Sequence, residues 1–476
     1  MQPKGSSSAP SSNGAPTELA TRSISSLIAR FAIPAIIAMT ASSLYNMIDS
    51  AFLGHMPGTG GLAIAGVTIC FPLMNISTAL GTLVGVGAST MISVLLGQKN
   101  YAAANRVLAN ELSLNVIVGL AFTVFTLLFM DPVLRLFGAS EAILPYARDY
   151  MVVIALGNII THLYFGLNSV IRAEGNPRLA MRLTLFTVSS NAVLDYVFIY
   201  PLGMGIRGAA LATVLCQGMA LAYVMRHFFN QNKLLHFPKD KPFQLERRIA
   251  ADSLAVGMGP FLMNLASCIV VILINKQLGK WGSDEAIAAY GIVNRISFLF
   301  VMIVMGFNQG MQPIAGYNYG ARLYSRVRKV YLRTCAWATL VTTLGFLVSE
   351  FLPWQATGIF TSNPSLHEMA SDGLRMMNCL LPIIGFQMVT TNLFQCLGMV
   401  GKSIFLSLSR QLLFLLPCIY FLPEWLGGSV TGVWYSFPIS DAIAAVCTAV
   451  LAVSLLRKLS ALKDGDSPAS LGSKIQ

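Results

Sequence analysis

Twelve long apolar runs, each separated from the next by a short polar break, constrain this chain more than any other feature of its sequence. They lie near residues 27–53, 62–96, 106–130, 143–171, 180–200 and 207–230, and then near 251–278, 286–319, 329–352, 369–397, 403–422 and 430–457. About 20 apolar residues cross a bilayer as a helix, so each run is long enough to span. The runs 62–96 and 286–319 are too long for one straight span, and we expect them to continue past the membrane or to bend at Pro72, Gly81, Gly85, Gly306 or Pro313. Composition closes off the alternatives. Charged residues make up 11% of the chain, hydrophobic residues 55%, and mean hydropathy is +0.65; soluble domains carry about 25% charge. The expected fold class is an all-α polytopic membrane protein.

The net charge of +12 does not point to nucleic acid, because the basic residues sit in short breaks between spans rather than on one polar domain. Most Lys and Arg fall on the side of the N-terminus: Lys99 and Arg106, Arg172 to Arg182, Lys233 to Arg248, Arg322 to Arg333, and Lys402, Arg410, Arg457 and Lys458. Arg135, Arg148, Arg207, Lys276, Lys280 and Arg375 fall on the other side, and Arg295 lies within a span. The positive-inside rule then places both termini in the cytoplasm. All eight cysteines stand singly in apolar runs, as buried reduced thiols.

The longest polar stretch, 231–250, divides the spans into two sets of six. The organisation expected is a disordered tail at 1–23, an N-lobe at 24–230, a cytoplasmic linker at 231–250, a C-lobe at 251–458 and a tail at 459–476. The halves echo one another. Gly87, Gly97, Phe137 and Gly175 recur 223 residues on as Gly310, Gly320, Phe360 and Gly398. An even number of spans per half makes the lobes parallel repeats about a pseudo-twofold axis along the membrane normal, the arrangement suited to two bundles rocking around a cavity.

Carboxylates inside spans are costly, roughly 2.5–3.5 kcal/mol each on insertion scales, and so mark candidate sites. Asp49 and Asp195 are those expected in the first half, and each lies a turn or two inside the external end of its span. Thr213 shares their depth, and Asn191 lies one turn below Asp195 on the same face. Two carboxylates, an amide and a hydroxyl make an oxygen-rich site for H⁺ or, as a metal, Na⁺. In the second half Asp441, just after Pro438, is either a structural partner or a substrate counter-ion. Arg295, read as the lone intramembrane cation, is expected to need a carboxylate or several carbonyls in a structural pairing, and His55 and His162 read as packing or interfacial residues.

The segments LYNMIDSAFLG (44–54), LLGQKNYAAANRV (95–107), IRAEGNPRLAM (171–181) and NAVLDYVFIYPLGMGIRGAALAT (191–213) resemble the multidrug and toxic compound extrusion (MATE) transporters. QGMQPIAGYNYGAR (309–322) and WYSFPISD (434–441) resemble the MepA-like bacterial branch, and Gln309 joins Asp441 and Arg295 as a candidate cavity residue. The resemblance implies secondary-active efflux of bulky, often cationic amphipathic compounds by a monomer in the lipid bilayer, with no cofactor beyond the coupling H⁺ or Na⁺. It also implies that Asp49, Asn191, Asp195 and Thr213 form the cation site. Other branches place a coupling Glu in the seventh span, where this chain reads GPFLMNLASCIV (259–270); coupling is therefore expected in the N-lobe. A flippase for lipid-linked oligosaccharides is the alternative, and it would call for a more cationic central cavity. A membrane-embedded enzyme is disfavoured because no G-x-S-x-G or H-E-x-x-H motif lies in a span.

Overall fold

In hydrocarbon a backbone amide finds no water, so each apolar run must satisfy its own hydrogen bonds as a helix. A computed structural model describes residues 15–466, save for 55, 57–59, 240, 283 and 362. A short helix α1 (Ala15–Thr21) leads into α2 (Ile24–Gly54), α3 (Gly60–Gly97), α4 (Tyr101–Leu128), the short α5 (Met130–Leu136), α6 (Leu144–Ala173), α7 (Pro177–Ile199) and α8 (Gly205–Phe229). After the linker come α9 (Arg247–Trp281), α10 (Asp284–Gly320), α11 (Tyr324–Phe351) and the short α12 (Pro353–Gly358). They are followed by α13 (Pro364–Asn378), α14 (Leu381–Cys396), α15 (Val400–Leu408), α16 (Leu416–Trp425) and α17 (Val430–Ala461). Helices α13 and α14 are together long and apolar enough to span and meet at a bend of 51°, with Pro382 in the first turn of α14 removing a donor at the break. A π-helical turn, Ser409–Leu415, joins α15 to α16.

Ten of these helices are long and apolar enough to cross a membrane, eleven with the bent pair. The remaining span, α7, carries Arg178, Arg182, Asn191 and Asp195, which lower its hydropathy. The two long runs are single helices of 38 and 37 residues through Pro72 and Pro313. At 1.5 Å per residue each reaches about 55 Å, so both extend beyond the bilayer.

The halves repeat in backbone detail. Gly175 and Gly398 both have positive φ after the fourth and tenth spans, and Lys99 (φ 59°) and Arg322 (φ 58°) adopt the same left-handed turn 223 residues apart. Between the lobes the repeat becomes reciprocal contact. A side-chain carbon on Gly97 would stand 2.0 Å from the Tyr317 carbonyl oxygen, and one on Gly320 would stand 1.9 Å from that of Val94. Gly87 against Ser253 and Gly310 against Ala32 extend the seam. Gln312 adds hydrogen bonds to Thr90 (2.7 Å) and Ser89 (3.1 Å). These contacts all lie in the half of the molecule nearer the linker. The lobes are thus joined in the half nearer the linker.

Residues 15–21 depart from the expected disordered tail. Leu19 is buried, Glu18 pairs with Arg22 and Arg30, and the Leu19 carbonyl accepts bonds from Asn318 and Arg326 across the seam. Residues 1–14 of that assignment lie outside the described residues. At the other end the chain turns back at 463–466, where Asp464 accepts from the Ser325 N–H and O–H.

Candidate functional site

The N-lobe helices α2, α3, α6, α7 and α8 enclose a cavity of about 360 Å³ that reaches Asp49, Asn191 and Thr213. Local sequence fixes where α7 presents its polar face. It begins at Pro177, just after the left-handed Gly175, and ends before the turn Pro201–Gly205, where Gly203 and Gly205 have positive φ. Asn191 and Asp195, one turn apart, therefore share a face one to two turns inside the end of the helix. Tyr200 Oη donates to the Phe52 carbonyl at 2.8 Å, and the Phe52, Tyr196 and Tyr200 rings cluster together. That cluster ties the end of α7 to the end of α2 and brings Asp49 beside Asp195.

All four expected cation-site residues meet here, and all are buried. The Asp49 and Asp195 carboxyls are within hydrogen-bonding reach of each other. With its amide oriented to satisfy both ends, Asn191 donates to Asp195 Oδ2 at 2.8 Å and accepts the Thr213 N–H at 3.2 Å. Asp49 Oδ1 has no hydrogen-bond donor among the described residues. Two carboxylates in contact in a dry site cannot both stay charged cheaply, so the pair must hold a proton or share a cation. The orphan Asp49 oxygen and the oxygens of Asp195, Asn191 and Thr213 form a donor set suited to either ion.

The cavity candidates of the C-lobe separate. Asp441 is sequestered: Arg410 Nε donates to its carboxylate at 2.6 Å, and its backbone carbonyl accepts from Gln387 at 2.7 Å. Arg410 belongs to the π-helical turn inside a span, so its expected place among the basic residues of the N-terminal side is wrong. Arg295 is consequently not the lone intramembrane cation. Arg295 itself is exposed and has no partner among the described residues, contrary to the expected pairing. It lies eleven residues before Gly306, about three turns along α10. Gly306 packs on Ile36 of α2, so helical periodicity puts Arg295 on the same side of α10 as that contact. Gln309 donates to Met39 Sδ at 3.5 Å across the seam.

A family model, MatE, matches this chain twice, over residues 34–197 and 258–421. The chain belongs to the MatE family. The double match also restates the internal repeat at a shift close to that of the paired glycines. Among relatives, multidrug export protein MepA of Staphylococcus haemolyticus is 26% identical over 440 residues, covering 92% of this chain and 95% of that protein. MepA of Staphylococcus aureus strain N315 is 26% identical over 429 residues, covering 90% and 93%. Among solved structures, MATE in the straight conformation superposes with a TM-score of 0.87 at 25% identity, over 94% of this chain and 99% of that one. An outward-facing MATE family transporter of the MOP superfamily gives 0.86 at 26%, over 94% and 98%.

Sequence reasoning missed a third intramembrane acid of the N-lobe. Glu111 on α4 is 2% exposed; it lies only a few residues inside its run, beside Asn110 and Arg106, and so passed for a flanking polar residue. His162 is fully buried and 3.1 Å from Ser77 Oγ through Nε2, which excludes an interfacial role. His55 lies outside the described residues. The eight cysteines are free.

Proposed function

We propose that this MatE-family protein is a secondary-active multidrug efflux antiporter, exporting bulky, often cationic compounds against inward flow of H⁺ or Na⁺ by alternating access. One observation carries the reading: Asp49, Asn191 and Thr213, drawn from three helices, line one cavity, the buried Asp195 accepts from Asn191 beside it, and one buried Asp49 oxygen has no hydrogen-bond partner among the described residues. Binding a cation there removes charge from the lobe and alters the bonds among Asn191, Asp195 and Thr213. Helices α2, α7 and α8 can then repack and weaken the attraction for a cationic drug. Coupling requires that the ion prefer the conformation that has released substrate. The basic residues Lys233, Lys239, Lys241, Arg247 and Arg248 favour a cytoplasmic linker face. The MepA relatives, named as multidrug export proteins, support the substrate class.

The test is dye efflux from proteoliposomes with a pH gradient or a Na⁺ gradient imposed separately. One gradient should drive uphill export, and hydrophobic monovalent cations should be exported better than matched anions. Export that neither gradient accelerates would rule the antiport reading out.

A further inference from the structure

Deep in the N-lobe three helices each contribute polar or small residues at a spacing of four, and therefore on one face. Helix α3 supplies Ser77, Gly81 and Gly85, α4 supplies Glu111, Asn115 and Gly119, and α6 supplies Asn158, His162 and Gly166. The glycines make room for the polar groups. A side-chain carbon on Gly166 would stand 2.1 Å from Glu111 Oε1, one on Gly119 would stand 3.5 Å from His162 Nδ1, and one on Gly81 would stand 3.5 Å from the His162 ring. At one end of this ladder Ser77 Oγ bonds Asn158 and lies 3.1 Å from His162 Nε2. Ser77 and Asn158 line the cavity that Asp49 and Asn191 also line. At the other end Asn115 donates to Glu111 Oε1 at 2.7 Å. Between them, Glu111 Oε2, Asn115 Oδ1 and His162 Nδ1 are all buried and have no hydrogen-bond partner among the described residues. Buried polar atoms are almost always satisfied, if need be by internal water; three orphans on facing turns therefore point to a bound water with a proton to share.

We infer that Glu111 is a second proton-binding carboxyl of the N-lobe, loaded from the cation cavity through His162. A proton arriving from the cavity is accepted at one imidazole nitrogen as another leaves from the opposite nitrogen. That proton passes through bridging water to Glu111 Oε2 and converts the carboxylate to the neutral acid, so one proton enters and one is bound. Helix α3 has no charged residue over its 38 positions. Helix α9 meets α4 through Ala250 and Leu254 against Leu114 and Val118. On α6, Arg172 is engaged with Ser169, and on α4 Arg106 pairs with Glu246 near the linker face. Toward the linker face, Ile92, Val107, Leu108 and Val170 are buried beyond Glu111. The inference goes beyond the efflux reading and does not depend on which compound is exported.

The test is infrared spectroscopy of the purified full-length protein in lipid nanodiscs without substrate, following the protonated-carboxyl stretch as pH is stepped and as solvent is exchanged for ²H₂O. Glu111→Gln, which keeps the bond to Asn115, should delete one pH-responsive component. His162→Gln, which preserves a partner for Ser77, and His162→Leu should each slow exchange of that component by about a hundredfold, the lower range for a positioned proton-transfer group. Asp195→Asn, which disables the proposed coupling site, should leave the component in place, so loss of efflux and loss of this site are read separately. A Glu111 component that ignores pH in the wild type, or that exchanges equally fast in both His162 variants, would overturn the inference.

Discussion

The two lobes share a backbone and differ in chemistry. Two hundred and twenty-three residues beyond Glu111 stands Thr334, buried, with its hydroxyl on the Val330 carbonyl. At the same shift from His162 stands Gly385, which packs against Ala338 and Thr342, the counterparts of Asn115 and Gly119. The C-lobe thus keeps the close packing and loses the titratable groups. Its own buried acid, Asp441, is neutralised by Arg410, whereas Asp49 and Asp195 in the N-lobe have only each other, an amide and a hydroxyl. A repeat preserves what geometry requires, such as the seam glycines and the left-handed turns. It leaves side chains free to diverge, so that one lobe can respond to a cation while the other stays electrostatically quiet.

The sharpest way to break this comparison is to neutralise one acid in each lobe. Asp195→Asn should reduce gradient-driven efflux in proteoliposomes to the level of empty liposomes, with expression and part of the drug binding retained. Asp441→Asn should be milder. Normal ion-dependent export by purified Asp195→Asn protein would move the search for the coupling group to the C-lobe.

Stability should show the opposite asymmetry. Removing one partner of a buried ion pair strands the other charge, at a cost of about 3–5 kcal/mol. Arg410→Met leaves Asp441, 3% exposed at its side chain, without compensation and should fall in that range. Asp441→Leu should cost less, because Arg410 is 31% exposed and so less desolvated than Asp441. The double variant should recover most of the loss, as read by thermal unfolding in detergent; strictly additive losses would mean that the pair is not coupled.

The seam offers a control on the shared geometry. A methyl group on Gly97 or Gly320 meets a carbonyl oxygen of the other lobe at 2.0 or 1.9 Å. Alanine at either should destabilise the linker-face closure by about 1–3 kcal/mol, the usual range for overpacking, and by similar amounts at both. Cysteine accessibility on the linker half of α3 and α10 would report it. Unequal effects would show that the pseudo-twofold relation does not extend to the energetics of closure.

Much of this was legible in the sequence because it rests on periodicity and cost. Twelve runs, the paired glycines and the placement of Asp49, Asn191, Asp195 and Thr213 follow from span length, repeat spacing and the expense of a carboxylate in hydrocarbon. Arg410 and Glu111 were misjudged for one reason: each sits near the polar end of a run, where distance along the chain does not reveal whether a side chain snorkels outward or turns into the bundle. Only the packing of α17 against the π-helical turn, and of Gly166 against α4, settles that direction. Arg295 failed differently. Its exposure is a tertiary property with no signature in a single helix.

The smallest expected difference between the halves lies at the start of their third spans. Asn100 caps α4, its side chain accepting from the Ala103 N–H. The matching residue before α11 is Leu323, which has no such group, and Asp464 returns from the chain's far end to accept from the Ser325 N–H and O–H at 2.9 and 2.6 Å. Slight burial pushes the Asp464 carboxyl up, but the hydrogen bonds from Ser325 outweigh it and hold the group below the usual carboxylate range. A carboxyl depressed in the folded state stabilises above its unfolded pKa, about 3.9 for Asp; the contribution is lost as pH falls below that value through the folded one. Asn100→Ala should cost about 1 kcal/mol at neutral pH. Asp464→Ala should cost less than about 1 kcal/mol, because the site is exposed and solvent screens it. Only the Asp464 effect should fade on acidification, since the Asn100 amide does not titrate. Thermal unfolding of the two variants at pH 7 and in mild acid separates them: a pH-independent Asp464→Ala effect would mean that the returning segment is held by its backbone contacts and not by a substitute cap.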